Sequence, residues 1–163
     1  MAEGRVVTSI EIGVPIEAAW REITKTGALQ RACFDTILVS ELKPGTPYRY
    51  TSRDGKKTFI KGTILEVVPP RRLAITFKFP GSKEPEAKVI YELEAVPGGV
   101  RVTIVHEGLD TGTKDGRSIA GGWATFLKNL RAVLEKGQPP LGTRIQYFVF
   151  RTFVLPFMPK DKA

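Results

Sequence analysis

The chain is poor in the residues that most often carry covalent or metal chemistry, with one cysteine and one histidine among its 163 residues. A single cysteine cannot form an intramolecular disulfide, and Cys33 and His106 together cannot supply the three or four ligands of a typical zinc site. No glycine-rich phosphate-binding motif is present, and we predict neither a metal nor a cofactor. The sequence also lacks a run of about 18 apolar residues and the basic-then-apolar start of a signal peptide, so we expect a cytoplasmic protein.

Positive charge is the unusual feature of the composition: 25 basic residues against 17 acidic ones give a net charge of +8. The excess lies in residues 56–87, which carry +4, and residues 137–163, which carry +3. Neither segment contains a basic run longer than the pairs Lys56-Lys57 and Arg71-Arg72. Because nucleic-acid-binding proteins usually cluster basic residues along one element, this distribution argues against a nucleic-acid partner.

Apolar periodicity predicts many short strands and a few helices. Residues 16–23 repeat apolar side chains at helical spacing after Pro15, and residues 28–34 are expected to form a second short helix. Between residues 37 and 107, alternating segments are separated by short turns, so consecutive strands must pair antiparallel. Gly62 interrupts one strand and indicates a bulge or a close backbone approach. Residues 114–136 predict a long helix, which ends where a glycine follows.

Two motifs within this order of elements carry a family resemblance. Residues 62–73, Gly-Thr-Ile-Leu-Glu-Val-Val-Pro-Pro-Arg-Arg-Leu, look like the "G-x-V/I-L-E-V-x-P-P-R-R-L" stretch of the SRPBCC, or START-like, superfamily. His106-Glu107-Gly108, followed by Gly121-Gly122-Trp123, is similar to a second hallmark, "H-E-G … G-G-W". Together they resemble the branch named for activator of heat-shock protein 90 ATPase homologues, over about residues 6–136.

The resemblance implies an α+β helix-grip fold. A curved seven-stranded antiparallel sheet would wrap around the long C-terminal helix, with two short helices after the first strand. Residues 1–137 would form this single START-like domain, and residues 138–163 a basic, aromatic-rich, helical tail. Relatives bind lipids, polyketides, hormones or other apolar molecules in a cavity between sheet and helix, and some are enzymes.

Strand parity directs a set of aromatic side chains toward this cavity. His106 is the last of the alternating residues of its strand that are expected to face inward. There it would either orient a ligand or connect the strand to the long helix. Gly121 and Gly122 either admit the sheet closely or leave room for a ligand beside the Trp123 indole. We predict no catalytic residue, and the predicted ligand-binding residues are Tyr48, Tyr50, Phe77, Phe79, Tyr91, His106, Trp123 and Phe126.

Three functions are consistent with these features. The leading hypothesis is non-catalytic binding of a small hydrophobic molecule, lipid-like or aromatic, in the cavity. The second is a co-chaperone-like protein-interaction module of the heat-shock protein 90 ATPase activator type, as the resemblance implies. The third is a cavity enzyme with His106 as acid or base, although a lone histidine has no base or nucleophile partner visible in the sequence.

Residues 143–157 hold four of the nine phenylalanines and are apolar almost all round when placed on a helix. Such a helix has to be buried somewhere. It could pack on its own domain, on a second copy in a homodimer or on a chaperone partner, or it could lie in an anionic membrane interface. We rank packing on the same chain or on a second copy first, and the membrane second.

Overall fold

The computed structural model describes residues 4–81 and 85–160. Within these ranges the chain forms eight strands and three α-helices, and the third helix continues into a π-helical turn and a 3-10 turn. The strands are β1 (Arg5–Ile12), β2 (Leu29–Gln30), β3 (Thr36–Ser40), β4 (Pro47–Thr51), β5 (Thr58–Val68), β6 (Arg72–Phe77), β7 (Ala87–Val96) and β8 (Gly99–Glu107). The helical elements are α1 (Ile16–Thr24), α2 (Lys114–Lys136), α3 (Leu141–Val149), the π turn Phe150–Val154 and the 3-10 turn Leu155–Phe157.

The strands form one antiparallel sheet in the order β1-β8-β7-β6-β5-β4-β3-β2. The first strand crosses to pair with the last one, with Arg5 opposite Glu107 and Ile12 opposite Val100. Helix α2 then returns across the sheet, and its apolar side chains share one core cluster with the inward side chains of the strands. The predicted helix-grip architecture is confirmed.

The strand count differs from the seven that were predicted. The additional strand, Leu29–Gln30, is only two residues long and pairs antiparallel with β3 at the edge of the sheet. Two alternating residues are too short to produce a periodic signal, so local sequence patterning does not reveal this strand.

The second short helix expected over residues 28–34 is wrong, because this stretch contains β2 followed by a turn. The side-chain amide of Gln30 is buried and donates hydrogen bonds to the carbonyl oxygens of Ile23 and Lys25, at 3.1 and 2.9 Å. These bonds hold the chain extended against the end of α1. The turn then closes with Phe34 and Asp35 both at positive φ, a conformation that cannot continue a right-handed helix.

Gly62 lies at a close backbone approach between β5 and β6, one of its two predicted roles. A Cβ atom at this position would come within 2.7 Å of the Thr76 hydroxyl oxygen and closer still to the Thr76 carbonyl oxygen. Tyr48 lies opposite Gly62 in the β4–β5 pair, and its hydroxyl donates to the same carbonyl oxygen at 2.6 Å. Tyr48 therefore links β4 to β6 beside a position that has no side chain.

Helix α2 has well-defined ends. The Thr113 side chain accepts a hydrogen bond from the backbone N–H of Gly116 at 2.9 Å, which caps the first turn. Gly137 ends the helix in the left-handed conformation, as predicted, with a φ of 80°. Within the described residues, no helix is both long and apolar enough to cross a bilayer.

Candidate functional site

The indole of Trp123, on α2, is the centre of an aromatic cluster between the helix and the sheet. Its ring centroid lies 5.5 Å from that of Phe77, 5.9 Å from His106, 6.0 Å from Tyr91 and 5.8 Å from Phe126. All five side chains are buried. They converge because the inward parity of β6, β7 and β8 faces the apolar stripe of α2.

The remaining predicted site residues extend this cluster at its two ends. Phe79 packs edge-on against Phe77 at 5.2 Å and is only half-buried. Tyr48 and Tyr50 are buried side by side on β4, with their rings 6.0 Å apart. The fold therefore brings six of the eight predicted residues to the interior face of the sheet or to its rim, and places Trp123 and Phe126 opposite them on α2.

The tyrosine hydroxyls of the cluster are engaged within the protein. Tyr48 donates to a backbone carbonyl oxygen of β6, while the hydroxyls of Tyr50 and Tyr91 are hydrogen-bonded to each other. Burial raises the pKa of Tyr50 and Tyr91 well above the ordinary value, so both stay neutral. These hydroxyls join strands of the sheet, which is a structural role.

His106 and Trp123 form the polar link between the sheet and the helix. The Trp123 Nε1–H donates to His106 Nδ1 at 2.8 Å, and both side chains are buried. An indole nitrogen can only donate, so Nδ1 must be the unprotonated nitrogen and the proton of the neutral imidazole is on Nε2. The helix thus determines the tautomer of the only histidine in the chain.

His106 stays neutral at ordinary pH. Burial lowers the pKa of His106 from 6.5 to about 4, since the charged imidazolium would be desolvated. No carboxylate is hydrogen-bonded to the ring in the described residues, and the Nδ1 lone pair is already occupied by Trp123. The arrangement can donate a hydrogen bond from Nε2, but it is a poor proton acceptor.

A small pocket opens where β6, β8 and the start of α2 meet. Its volume, measured as the space open to the centre of a water molecule, is only about 10 Å³, which is enough for about one water. Three of the predicted residues, Phe77, Phe79 and His106, line it, whereas the other five belong to the buried core cluster and do not line this pocket. Its lining residues are Phe77, Lys78, Phe79, Pro85, Ala87, His106, Leu109 and Ile119.

Sequence reasoning missed five of these lining residues. Ile119 precedes Trp123 by one helical turn, so the helical spacing could have placed it beside the indole. Leu109 follows the His106-Glu107-Gly108 motif directly and is fully buried. Lys78, Pro85 and Ala87 have no local signal, because their position beside His106 depends on the pairing of β6 with β7 and of β7 with β8.

Gly121 and Gly122 do not admit the sheet closely. A Cβ atom at either position would have no neighbour within 4 Å, and Gly121 is exposed to solvent. Successive helical residues are rotated by about 100° from one another, so these two glycines point away from the face that carries Trp123. Neither of them lines the small pocket.

Cys33 is buried in the turn after β2. Burial raises the pKa of its thiol to about 11, so the reactive thiolate is scarce at neutral pH. Among the residues that the structure describes, no group of three or more His, Cys, Asp or Glu side chains is arranged to hold a metal ion.

An antiparallel sheet that grips a long helix over an aromatic interior defines a START-like, helix-grip protein. The family model described as "Activator of Hsp90 ATPase homolog 1-like protein" matches residues 13–135. The chain belongs to this family. The match ends before α3, so residues 141–160 lie outside it.

Solved structures share this fold at low sequence identity. DynU16, a putative protein in the dynemicin biosynthetic locus, is 22% identical with a TM-score of 0.69, over 83% of this chain and 48% of DynU16. The present chain thus spans about half the length of DynU16. The Aha1 dimer from Colwellia psychrerythraea is 17% identical with a TM-score of 0.68, over 82% of this chain and 98% of that one. CalU16 from Micromonospora echinospora is 19% identical with a TM-score of 0.63, over 88% and 81%. Among proteins with curated descriptions, none matches the chain.

Proposed function

We propose that the protein binds a small, mainly apolar molecule in the pocket beside His106, without covalent chemistry. The observation that carries this proposal is a pocket whose lining is six apolar residues with Lys78 and His106, the latter a buried imidazole with its proton on Nε2. Ligand pockets typically combine apolar walls with a few polar groups that orient the ligand. The preferred ligand would have an apolar body and one oxygen that accepts a hydrogen bond, such as a ketone, an ether or a phenol.

Binding requires the rim of the pocket to open. The free space is that of about one water molecule, so a ligand must displace side chains. Phe79 and Ile119 are half-buried at this rim, and partly exposed side chains can change rotamer at low cost. The deeper cluster around Trp123 would stay closed and support the pocket floor.

Acid–base catalysis by His106 gains no support from this geometry. A group with a pKa of about 4 is a weak base at neutral pH, and effective catalytic bases have pKa values near the working pH. The oriented Nε2–H suits ligand recognition, since a donor inside an apolar pocket discriminates strongly against ligands that lack an acceptor.

Two naphthalene probes of similar shape test the role of His106. The first, 2-acetylnaphthalene, carries one carbonyl acceptor, whereas 2-ethylnaphthalene carries none. In NMR titrations of the ¹⁵N-labelled protein, we expect the ketone to bind about tenfold more tightly and to shift the His106 ring resonances. Equal affinities, or shifts that avoid Phe79, His106 and Ile119, would contradict the proposal.

A matched pair of variants on one helix tests the location. Ile119→Trp adds bulk at the pocket rim, whereas Ser118→Trp adds a similar bulk at the exposed neighbouring position. Ile119→Trp should abolish binding of the ketone, and Ser118→Trp should leave the affinity within about twofold of the wild type. If both variants bind equally well, the pocket is not the binding site.

Family membership favours a second candidate, a co-chaperone-like interaction with heat-shock protein 90. The family model covers residues 13–135, so a contact common to the family would lie within this range. Purified heat-shock protein 90 should then hydrolyse ATP faster when the protein is added, and removal of residues 138–163 should leave the acceleration unchanged. No acceleration at a tenfold molar excess would dismiss this candidate.

A further inference from the structure

Residues 141–157, here called the C-terminal segment, present an apolar face to solvent. Leu141, Ile145 and Phe148 recur at helical spacing on one side of α3, and all three are more than half exposed. Beyond α3, Phe153 is 65% exposed and Phe157 is 86% exposed. Soluble proteins seldom expose a contiguous apolar patch of this kind without a binding partner.

The opposite side of the C-terminal segment is anchored to the domain by a buried polar network. The Tyr147 hydroxyl accepts a hydrogen bond from the backbone N–H of Phe34 at 3.1 Å, and Tyr147 also contacts the Asn129 side chain. Thr143 donates to the Asn129 side-chain oxygen at 3.0 Å. Asn129 lies on α2, so this network joins the segment both to the long helix and to the turn after β2.

Further contacts fasten the second half of the segment. Arg151 lies 3.6 Å from Asp35, Phe150 packs on Phe59 at 6.0 Å, and the Lys57 ammonium donates to the backbone carbonyl oxygen of Leu155. These contacts determine which side faces outward. The exposed apolar face is therefore held in a defined orientation.

Most of the net positive charge of the protein lies in this segment and in the two turns that it contacts. The C-terminal segment continued to Lys160, together with the two turns that it contacts, residues 31–35 and 53–57, contains seven basic and two acidic side chains. This region alone carries +5 of the total of +8. The two basic stretches separated in sequence, around Lys56-Lys57 and after residue 140, thus meet in space.

We propose that this face docks on an anionic lipid bilayer. A bilayer interface takes up apolar side chains without directional contacts, and its acidic headgroups attract basic residues at the edge of the inserted face. The segment is too short to span a membrane, so it would lie in the plane of the interface. A two-fold homodimer through the same face would place one +5 region against another, which disfavours a second copy as the occupant.

Vesicle flotation tests this proposal. The protein is mixed with phosphatidylcholine vesicles that contain either no phosphatidylglycerol or 30% phosphatidylglycerol, and the floated fraction is measured at 50 and 300 mM salt. We expect at least tenfold stronger partitioning onto the anionic vesicles, weakened severalfold at the higher salt concentration.

Matched variants separate the apolar and the charged contributions. Phe153→Ser/Phe157→Ser removes two exposed rings and should lower the partition coefficient at least tenfold, as should Lys56→Glu/Lys160→Glu. Val7→Ser is the control, because Val7 is 55% exposed on β1 at the opposite edge of the sheet, and it should bind like the wild type. Unchanged urea midpoints would show that the variants remain folded.

Several results would overturn the proposal. Equal binding to both kinds of vesicle, or loss of binding in Val7→Ser, would show that the basic apolar face is not the determinant. Absence of vesicle binding would refute it outright. If sedimentation then detected a dimer that Phe153→Ser/Phe157→Ser dissociates, a second copy of the chain would be the occupant.

Discussion

Acidification should destabilise this protein through His106, its only histidine. Burial lowers the pKa of His106 from 6.5 to about 4 in the folded state, whereas the imidazole regains its ordinary pKa in the unfolded chain. The unfolded state therefore takes up a proton more readily. The free energy of unfolding is highest above pH 6.5 and decreases as the pH falls from 6.5 toward 4.

The size of this effect follows from the pKa shift. One pKa unit corresponds to about 1.4 kcal/mol, so the full shift can lower the free energy of unfolding by at most about 3 kcal/mol. Integrating the difference in proton binding between the unfolded and folded states from pH 7.5 to pH 5 gives a loss of about 2 kcal/mol. The effective dielectric constant even at buried protein sites is well above that of a dry interior, so we expect a measured loss of about 1–2 kcal/mol over this pH range.

Urea unfolding at pH 7.5, 6.5, 5.5 and 5.0 measures this loss. The control is His106→Asn, whose side-chain oxygen can still accept the Trp123 hydrogen bond but does not titrate. The range stops at pH 5 because carboxylates begin to titrate below it. The free energy of unfolding of wild-type protein should decrease, while that of His106→Asn should change by less than about 0.5 kcal/mol.

NMR titration of the single histidine gives an independent measurement. The His106 ring should titrate with a pKa below 5 and show the Nε2–H tautomer at neutral pH. The reasoning is refuted if the imidazole titrates near pH 6.5, or if wild type and His106→Asn lose the same stability between pH 7.5 and 5.

Three further predictions concern local packing. Gly62→Ala should lower the free energy of unfolding by about 1–3 kcal/mol, because the added methyl group meets the backbone of β6. Gly121→Ala places its methyl group in open space on a helix, so it should be neutral or raise the free energy of unfolding by up to about 1 kcal/mol. Equal urea midpoints for the two variants would contradict this prediction. Tyr147→Phe should cost about 1–2 kcal/mol and speed amide exchange of Phe34, which loses its acceptor; unchanged exchange would show that the hydroxyl does not anchor the segment. Cys33 should resist iodoacetamide at pH 8 in the native protein and react once urea unfolds it, and rapid native labelling would contradict its burial and raised pKa.

Much of the candidate site could be predicted from the sequence. Alternation along β6, β7 and β8 places Phe77, Tyr91 and His106 on one face, and helical spacing places Trp123 and Phe126 opposite them. Period-2 and period-3.6 patterns are local properties of the chain, so the inward parity of these residues needed no tertiary information. The same patterns, with the two family motifs, were enough to predict the helix-grip architecture.

The use of these side chains could not be predicted in the same way. Tyr48, Tyr50 and Tyr91 were predicted to bind the ligand, and in the structure their hydroxyls form hydrogen bonds within the protein. Whether inward side chains leave a void depends on how closely helix and sheet approach, which is a property of the packed core as a whole. The pairing of Trp123 Nε1–H with His106 Nδ1 likewise joins elements that only the fold brings together.

The sequence by itself determined the fold class, the aromatic residues that face the interior and the apolar character of the C-terminal segment. Each of these follows from local periodicity and composition. Only the tertiary structure decided that the pocket is small, that His106 is a neutral donor, and that the apolar side of α3 faces solvent in a region with a net charge of +5. These features depend on contacts between residues far apart in the chain, such as Tyr147 with Phe34, and no local pattern encodes such contacts.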